Sequence, residues 1–211
     1  MSEYESGEPP EEQPSPPSDE KAPHPVRLVV SDDLGRSRLT VFFRLILAIP
    51  HFIWIYLWTY TLLVCLPVMW FAALIAGHTP EDLHLFLARY IRYRTHVTSY
   101  GLLVSNPYPT FFGREGTHPI DVSIAPPERQ PRLVTFFRLV LAIPAVVLAY
   151  VLSFVMVVVA FLGWFVCLAI GRMPKGMRDL SAYCLRYDVQ TYAYLALLTS
   201  RYPSLTGSPM P

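Results

Sequence analysis

Two arginines lie inside otherwise apolar segments of nearly identical sequence. Arg44 belongs to RLTVFFRLILAIPHFI, and Arg138 belongs to RLVTFFRLVLAIPAVV. The planar guanidinium group carries a rigid fork of N–H donors that matches a phosphate or a carboxylate. Arg44 and Arg138, together with Arg92 and Arg186 further along the chain, are therefore candidate contacts for lipid phosphate or for a partner protein.

The setting of Arg44 and Arg138 favours a position at the membrane interface. A charge at the centre of a bilayer is costly, whereas an arginine near a helix end can extend its aliphatic stem to the head groups. Pro50 and Pro144 follow each arginine, and proline removes a helical hydrogen bond and bends the chain. We expect an interfacial helix that ends in a bend into the membrane. A buried anion site is the alternative.

The other reactive residues form no catalytic or metal-binding pattern. Cys65, Cys167 and Cys184 are widely spaced, and two of them lie inside apolar runs, as is typical of small buried side chains. No nucleophile elbow, zinc-protease motif, phosphate-binding loop or dinucleotide fingerprint is present. We expect no enzyme activity, no cofactor and no metal site.

The composition indicates a membrane protein. Of the 211 residues, 53% are hydrophobic, and the mean hydropathy is +0.34, which is high for a soluble domain. The runs 51–76 and 145–170 contain no Asp, Glu, Lys or Arg and exceed the roughly 20 residues that cross a bilayer. A net charge of +1 offers no field for nucleic acid, so we expect no nucleic-acid partner.

From residue 26 the chain is a tandem repeat with an offset of 94 residues. We divide it into membrane module 1 (26–112), a linker (113–119) and membrane module 2 (120–205). Residues 1–25 are acidic and rich in proline, and we expect this tail to be disordered because it has little apolar surface to bury. Residues 206–211 form a second tail.

Each module contains the same five parts in the same order. These are a short extended lead (VRLVV or IDVSI), the Arg/Phe helix, a long apolar helix or hairpin, a GxxP stop, and an amphipathic helix that lies on the surface or packs against the other helices. Glycine ends a helix in a left-handed conformation and proline starts the next one. The predicted fold is an all-α integral membrane protein of two tandem modules with short extended leads.

The basic residues favour a topology in which each module enters and leaves on the cytoplasmic side. Five Lys and Arg precede residue 51, seven lie between the runs and five follow residue 170, so no segment is poor in positive charge. We expect both termini and the segment 105–130 to be cytoplasmic, with each module crossing an even number of times. The return span is either the second half of the apolar run or the helix after GxxP, and a single tilted crossing per module remains open.

The FFRLxLAIP segments, the WF…GxxP stops and the Tyr-Pro turns resemble an uncharacterised bacterial membrane-domain family, common in actinobacteria and of unknown function. The resemblance covers both modules and implies the inner (cell) membrane of a bacterium. We expect a non-catalytic accessory subunit or scaffold, with the lipid bilayer and a membrane protein as partners. The alternative is a lipid-binding or small-solute transport protein whose site, a phospholipid site for example, lies between the two pseudo-symmetric modules.

Overall fold

The computed structural model describes residues 24–206, and the predicted disordered tail and the last residues of the chain fall almost entirely outside this range. The described chain contains four helices and a two-stranded sheet. In chain order these are β1 (Val26–Val30), α1 (Arg38–Ala76), α2 (Glu81–Gly101), β2 (Ile120–Ile124), α3 (Arg132–Ile170) and α4 (Lys175–Leu195). The two leads predicted to be extended are the two strands.

Each module has one uninterrupted long helix. The predicted separate interfacial helix and the hairpin within the apolar run are both wrong, because α1 and α3 each continue for 39 residues and contain Pro50 and Pro144 in their interiors. A proline removes one backbone donor, but the apolar residues on either side favour helix wherever no water competes for the backbone. At 1.5 Å per residue each helix is about 58 Å long.

The predicted GxxP stops are confirmed in both modules. Gly77 and Gly171 adopt left-handed conformations (φ 75° and 72°), and their N–H groups donate to the carbonyl oxygens of Ala73 and Cys167. Glycine adopts this conformation without the steric cost that a Cβ brings. Pro80 and Pro174 then precede the first residues of α2 and α4.

An approximate two-fold axis relates the two modules. Strands β1 and β2 pair antiparallel, with Leu28 opposite Val122, which are equivalent positions at the 94-residue offset. Helices α1 and α3 also run antiparallel: the Trp70 indole N–H donates to the carbonyl of Thr135, and that of Trp164 donates to the carbonyl of Val41. Because these two bonds are related by the same offset, the end of each long helix meets the start of the other.

The elements stack in three layers. The sheet packs on α2 and α4, and α2 and α4 pack on α1 and α3, which form the outermost layer. Each strand lies on the helix of the other module: β2 packs on α2 and β1 packs on α4. The amphipathic helices were predicted either to lie on the surface or to pack against the other helices. They pack, because α2 and α4 form the middle layer and most of their side chains are buried.

Candidate functional site

Arg44 is buried beneath the last turn of α2. Its side chain leaves α1, is 2% exposed, and its Nη1 donates to the carbonyl oxygens of Tyr100 at 2.6 Å and Ser105 at 2.9 Å. The last carbonyls of a helix lack intrahelical donors and carry the negative end of its dipole, so a cation is favourable there. The guanidinium also lies 4.4 Å from the centre of the Tyr100 ring.

Arg138 makes the equivalent contacts at the end of α4. It is 1% exposed, and its Nη1 donates to the carbonyl oxygens of Tyr194 and Thr199, while its Nη2 donates to Gln130 Oε1 at 2.6 Å. The prediction that these two arginines extend to the head groups is therefore wrong. They tie each long helix to the C-terminus of its own module's second helix, 56 residues away.

Arg92 and Arg186 also bind backbone carbonyls of this chain. Arg92 donates to Val122 O at 3.1 Å and forms an ion pair with Glu115 at 3.2 Å. Arg186 donates to the carbonyl oxygens of Thr206 and Leu205. The four candidate arginines thus lie at four separate places rather than in one site. Their binding to lipid phosphate or to a partner stays a prediction.

A buried polar cluster formed by α2 of module 1, the linker and β2 of module 2 was not predicted from the sequence. His96 Nε2 lies 3.2 Å from Asp121 Oδ1, and the ring of His118 stacks on His96 with the centroids 4.6 Å apart. His118 Nδ1 accepts from the Ile120 N–H, and its Nε2 lies 3.3 Å from Ser105 Oγ. In the first copy, His24 Nδ1 accepts from the Val26 N–H in the same way, and His24 and His118 are 94 residues apart. A repeat that was taken to begin at residue 24 instead of residue 26 would therefore have paired these two histidines.

The electrostatics of this cluster favour a neutral His118 beside an ionised Asp121. Burial lowers the pKa of His118 to about 4, and the nearby His96 adds to this. Burial alone would raise the pKa of Asp121, but hydrogen bonds from His96 and from the N–H groups of Gly116 and Val122 outweigh it and lower that pKa. Among residues 24–206, no three His, Cys, Asp or Glu side chains come together in a group that could hold a metal ion.

A cavity of about 810 Å³ lies between α2 and the chain that follows β2. Trp58 and Phe86 line its apolar side, and its polar side is lined by three arginines and two glutamates: Arg89, Arg92, Arg114, Glu81 and Glu115. The guanidinium groups of Arg89 and Arg114 form no hydrogen bond or ion pair with the described residues, unlike that of Arg92.

His84 also lines this cavity. It is 3% exposed, and its Nε2 donates to Ala125 O, whereas its Nδ1 has no partner among the described residues. Burial lowers the pKa of His84. The residues equivalent to Trp58, His84 and Arg89 are Leu152, Arg178 and Tyr183, so these lining residues are particular to module 1.

The largest exposed feature of the described chain is the apolar surface of α1 and α3. Each long helix exposes 17 large hydrophobic side chains, against eight in the rest of residues 24–206. Both helices are long and apolar enough to cross a membrane, by length and composition. Large exposed apolar patches are typical of surfaces that contact a membrane, another protein or a ligand.

Comparison with known proteins identifies the two modules as copies of one domain. No curated protein matches the chain, and no solved structure does. The family described as "Domain of unknown function (DUF4389)" matches residues 38–113 and 132–206, which include both long helices and both helices of the middle layer. The chain therefore belongs to this family of unknown function and carries its domain in two tandem copies.

Proposed function

We propose that this protein is a non-catalytic accessory subunit or scaffold of a bacterial cell membrane, held in the bilayer by α1 and α3. The observation that carries the proposal is the exposed apolar surface of these two helices. Neither helix contains Lys, Asp or Glu, and each contains two arginines. These are Arg38 and Arg44 in α1, and Arg132 and Arg138 in α3. Arg44 and Arg138 are buried against carbonyls, so the exposed charges of the two helices lie at their starts, at Arg38 and Arg132. The rest of each outward surface is uncharged and mostly apolar.

The energetics support membrane anchoring over a water-exposed position. Covering apolar surface is favourable by roughly 25 cal/mol per Å², and a soluble monomer rarely exposes a large contiguous apolar patch. The buried arginines and histidines bind groups of this chain and hold its layers together. This structural role of the polar side chains supports a scaffold. The apolar side chains exposed outside the long helices, such as Phe112 and Leu205, are the proposed contacts for a membrane-protein partner.

Co-flotation with liposomes tests the anchoring. We compare the protein with a double variant, Ile53→Lys with Val147→Lys, which places a charge at equivalent exposed positions of α1 and α3. Each lysine should cost about 2.5 kcal/mol in the hydrocarbon, so the floated fraction should fall at least tenfold. Ser123→Lys, on the exposed edge of β2, is the matched control and should float like the unchanged protein. Equal flotation of all three would overturn the anchoring.

Purification in mild detergent from the native membrane tests the scaffold role. A second membrane protein retained in fixed stoichiometry, and crosslinked through a photoreactive residue at Phe112 or Leu205 but not at Ser123, is the expected result. A monodisperse chain without any associated protein would exclude the scaffold.

The cavity favours a second candidate function, the binding of an anionic amphiphile such as a phospholipid. Ile124 to Pro127, at the start of module 2, line the cavity opposite α2 of module 1, which supports a ligand site between the modules. Arg89 and Arg114 supply two unpaired guanidinium groups for a phosphate, and Trp58 and Phe86 supply an apolar wall for an acyl chain.

Mass spectrometry of lipid retained by the purified protein tests this second function. Arg89→Ala with Arg114→Ala should remove retained anionic lipid, whereas Lys175→Ala, at an exposed lysine outside the cavity, should not. Equal retention in both variants would exclude the cavity as the site.

A further inference from the structure

We propose that α1 and α3 lie parallel to the membrane plane within one leaflet, so that the middle layer and the sheet stay on one side of the membrane. This inference rests on the membrane anchoring proposed above, and it replaces the crossing topologies expected from the sequence.

The first step is the direction of the pseudo-two-fold axis. The axis passes between Leu28 and Val122 in the sheet and between Arg94 and Asp188 in the middle layer, because each pair joins equivalent positions. A line through these two points runs across the layers toward α1 and α3. The axis exchanges the two antiparallel long helices, which therefore extend to either side of it. The sheet lies at one end of this axis and the apolar layer at the other.

The second step is what a crossing orientation would require. Trp58, close to the midpoint of α1, packs on Phe86, Tyr90 and Tyr93 of α2, so the polar middle layer covers the centre of the long helices. If α1 and α3 crossed the bilayer, this layer and the sheet behind it would lie at the depth of the hydrocarbon core. Exposed Arg89 would then face lipid, where a charged side chain is strongly unfavourable. A helix of about 58 Å is also nearly twice as long as the roughly 30 Å core.

The third step is the distribution of exposed side chains around α1. The buried positions Val41, Arg44 and Ala48 mark the side that faces the protein. At 100° per residue, Ile46, Tyr60 and Phe71 lie on the opposite side, and all three are exposed. This outward side is mostly apolar and carries no charged side chain from Leu39 to Ile75. A helix about 10–12 Å across fits within one leaflet, whose half of the core is about 15 Å deep.

The fourth step is the charge at the two ends of the apolar layer. Arg38 donates to the carbonyl of Ala169, and its equivalent Arg132 donates to the carbonyl of Ile75. Both arginines are exposed, and each clamps the start of one long helix to the end of the other. Exposed Arg172 lies near one clamp, and exposed Arg129 and His78 lie near the other. Basic groups at both ends of an apolar layer suit the anionic head groups of a single leaflet.

The same observations favour a leaflet over a second copy of the chain. A flat contact between two copies would cover the outward sides of α1 and α3 but would leave the flanking side chains, such as Leu47 and Phe43, in water. It would also bring the arginine clamps of the two copies toward one another. A leaflet surrounds the flanks of the helices and pairs the clamps with phosphate.

Labelling of cysteines from one side of the membrane distinguishes long helices that lie in the membrane plane from long helices that cross the bilayer. Single cysteines replace Ser37 and His78, at opposite ends of α1, in a protein whose Cys65, Cys167 and Cys184 are alanine. An impermeant maleimide is applied to right-side-out and to inside-out membrane vesicles. We expect both positions to react in the same type of vesicle, and the equivalent pair Pro131→Cys and Arg172→Cys to react in that type as well. Reaction of Ser37→Cys and His78→Cys in opposite types would overturn the in-plane orientation while leaving the anchoring intact.

Depth measurements give a second, independent readout. A fluorophore is attached in turn at Ile46→Cys, Tyr60→Cys and Phe71→Cys, and is quenched by lipids that carry a nitroxide at a shallow or a deep carbon. Equal ratios of shallow to deep quenching at all three sites are expected. Preferential quenching at Tyr60 by the deep nitroxide would overturn the proposal. So would a dimer that forms without lipid and shields all three fluorophores from the quenching lipids. Failure to float with liposomes would instead refute the anchoring itself.

Discussion

Arg94 and Asp188 form an ion pair across the pseudo-two-fold axis, although they occupy the same position in the two modules. Arg94 Nη1 lies 2.6 Å from Asp188 Oδ2, and the arginine and aspartate side chains are 20% and 5% exposed. The guanidinium also lies 3.7 Å from the centre of the Tyr192 ring. Two identical modules would place like residues at this point, and like charges would repel there, so the divergence of one position turns a repulsive contact into an attractive one.

Removing one partner of this pair should destabilise the protein strongly. For Arg94→Gln or Asp188→Asn we expect a loss of about 3 kcal/mol in the free energy of unfolding, because the remaining charge stays buried without its partner. Urea unfolding in detergent micelles measures this. The charge exchange Arg94→Asp with Asp188→Arg should recover part of the loss. A single variant with unchanged stability would show that the pair does not hold the modules together.

Arg44 and Arg138 should be needed for stability and should not tolerate lysine. Arg44→Leu leaves two buried carbonyls without a donor, so we expect a loss of about 3 kcal/mol in unfolding free energy. Arg44→Lys should recover no more than about half, because an ammonium group lacks the planar fork. The same order is expected at Arg138. Exposed Arg129→Lys is the control and should leave thermal unfolding unchanged. Full recovery by lysine would contradict a geometric role.

His118 should make the stability depend on pH. Its pKa of about 4 in the folded protein is below the ordinary value of about 6.5 in the unfolded chain, so acid favours unfolding. Stability is fully present above pH 6.5 and is lost as the pH falls toward 4, by up to about 3 kcal/mol. His118→Asn keeps an acceptor for the Ile120 N–H but cannot titrate. Its urea midpoint should therefore change less between pH 7 and pH 5 than that of the unchanged protein.

Exposed His78 serves as the control for this comparison. His78→Asn should leave the pH dependence as it is in the unchanged protein. A His118→Asn variant with the same pH dependence as the unchanged protein would mean that another group is responsible.

An alanine should destabilise the protein more at Gly113 than at nearby Gly116, because steric crowding adds to backbone strain at Gly113. It has φ 55°, and a Cβ there would lie 2.5 Å from Arg89 O and 2.9 Å from Tyr93 N. Gly116 has φ 71° but no heavy atom within 4 Å of its Cβ position. We expect Gly116→Ala to cost about 1 kcal/mol through backbone strain and Gly113→Ala to cost clearly more through the added clash. Thermal unfolding measures the difference, and equal losses would exclude crowding at Gly113.

The sequence alone determined the local elements of this protein. Helix ends at Gly77 and Gly171, the strands from VRLVV and IDVSI, and the tandem repeat follow from residue types and their spacing, because glycine conformation, proline geometry and apolar periodicity act over a few residues. The membership of the family follows from the same repeated segments.

Only the tertiary structure decided which residues meet. Arg44 lies beside apolar residues in the sequence, but its partners are carbonyls that begin 56 residues later. His96 and Asp121 meet because β2 crosses to the other module, and Arg94 meets Asp188 because the axis passes between them. The side of α1 that faces the protein also depends on these long-range contacts. Local patterns specify backbone conformation, whereas burial and charge pairing depend on elements distant in the chain. The placement of Arg44, Arg94 and Arg138 follows from these distant contacts.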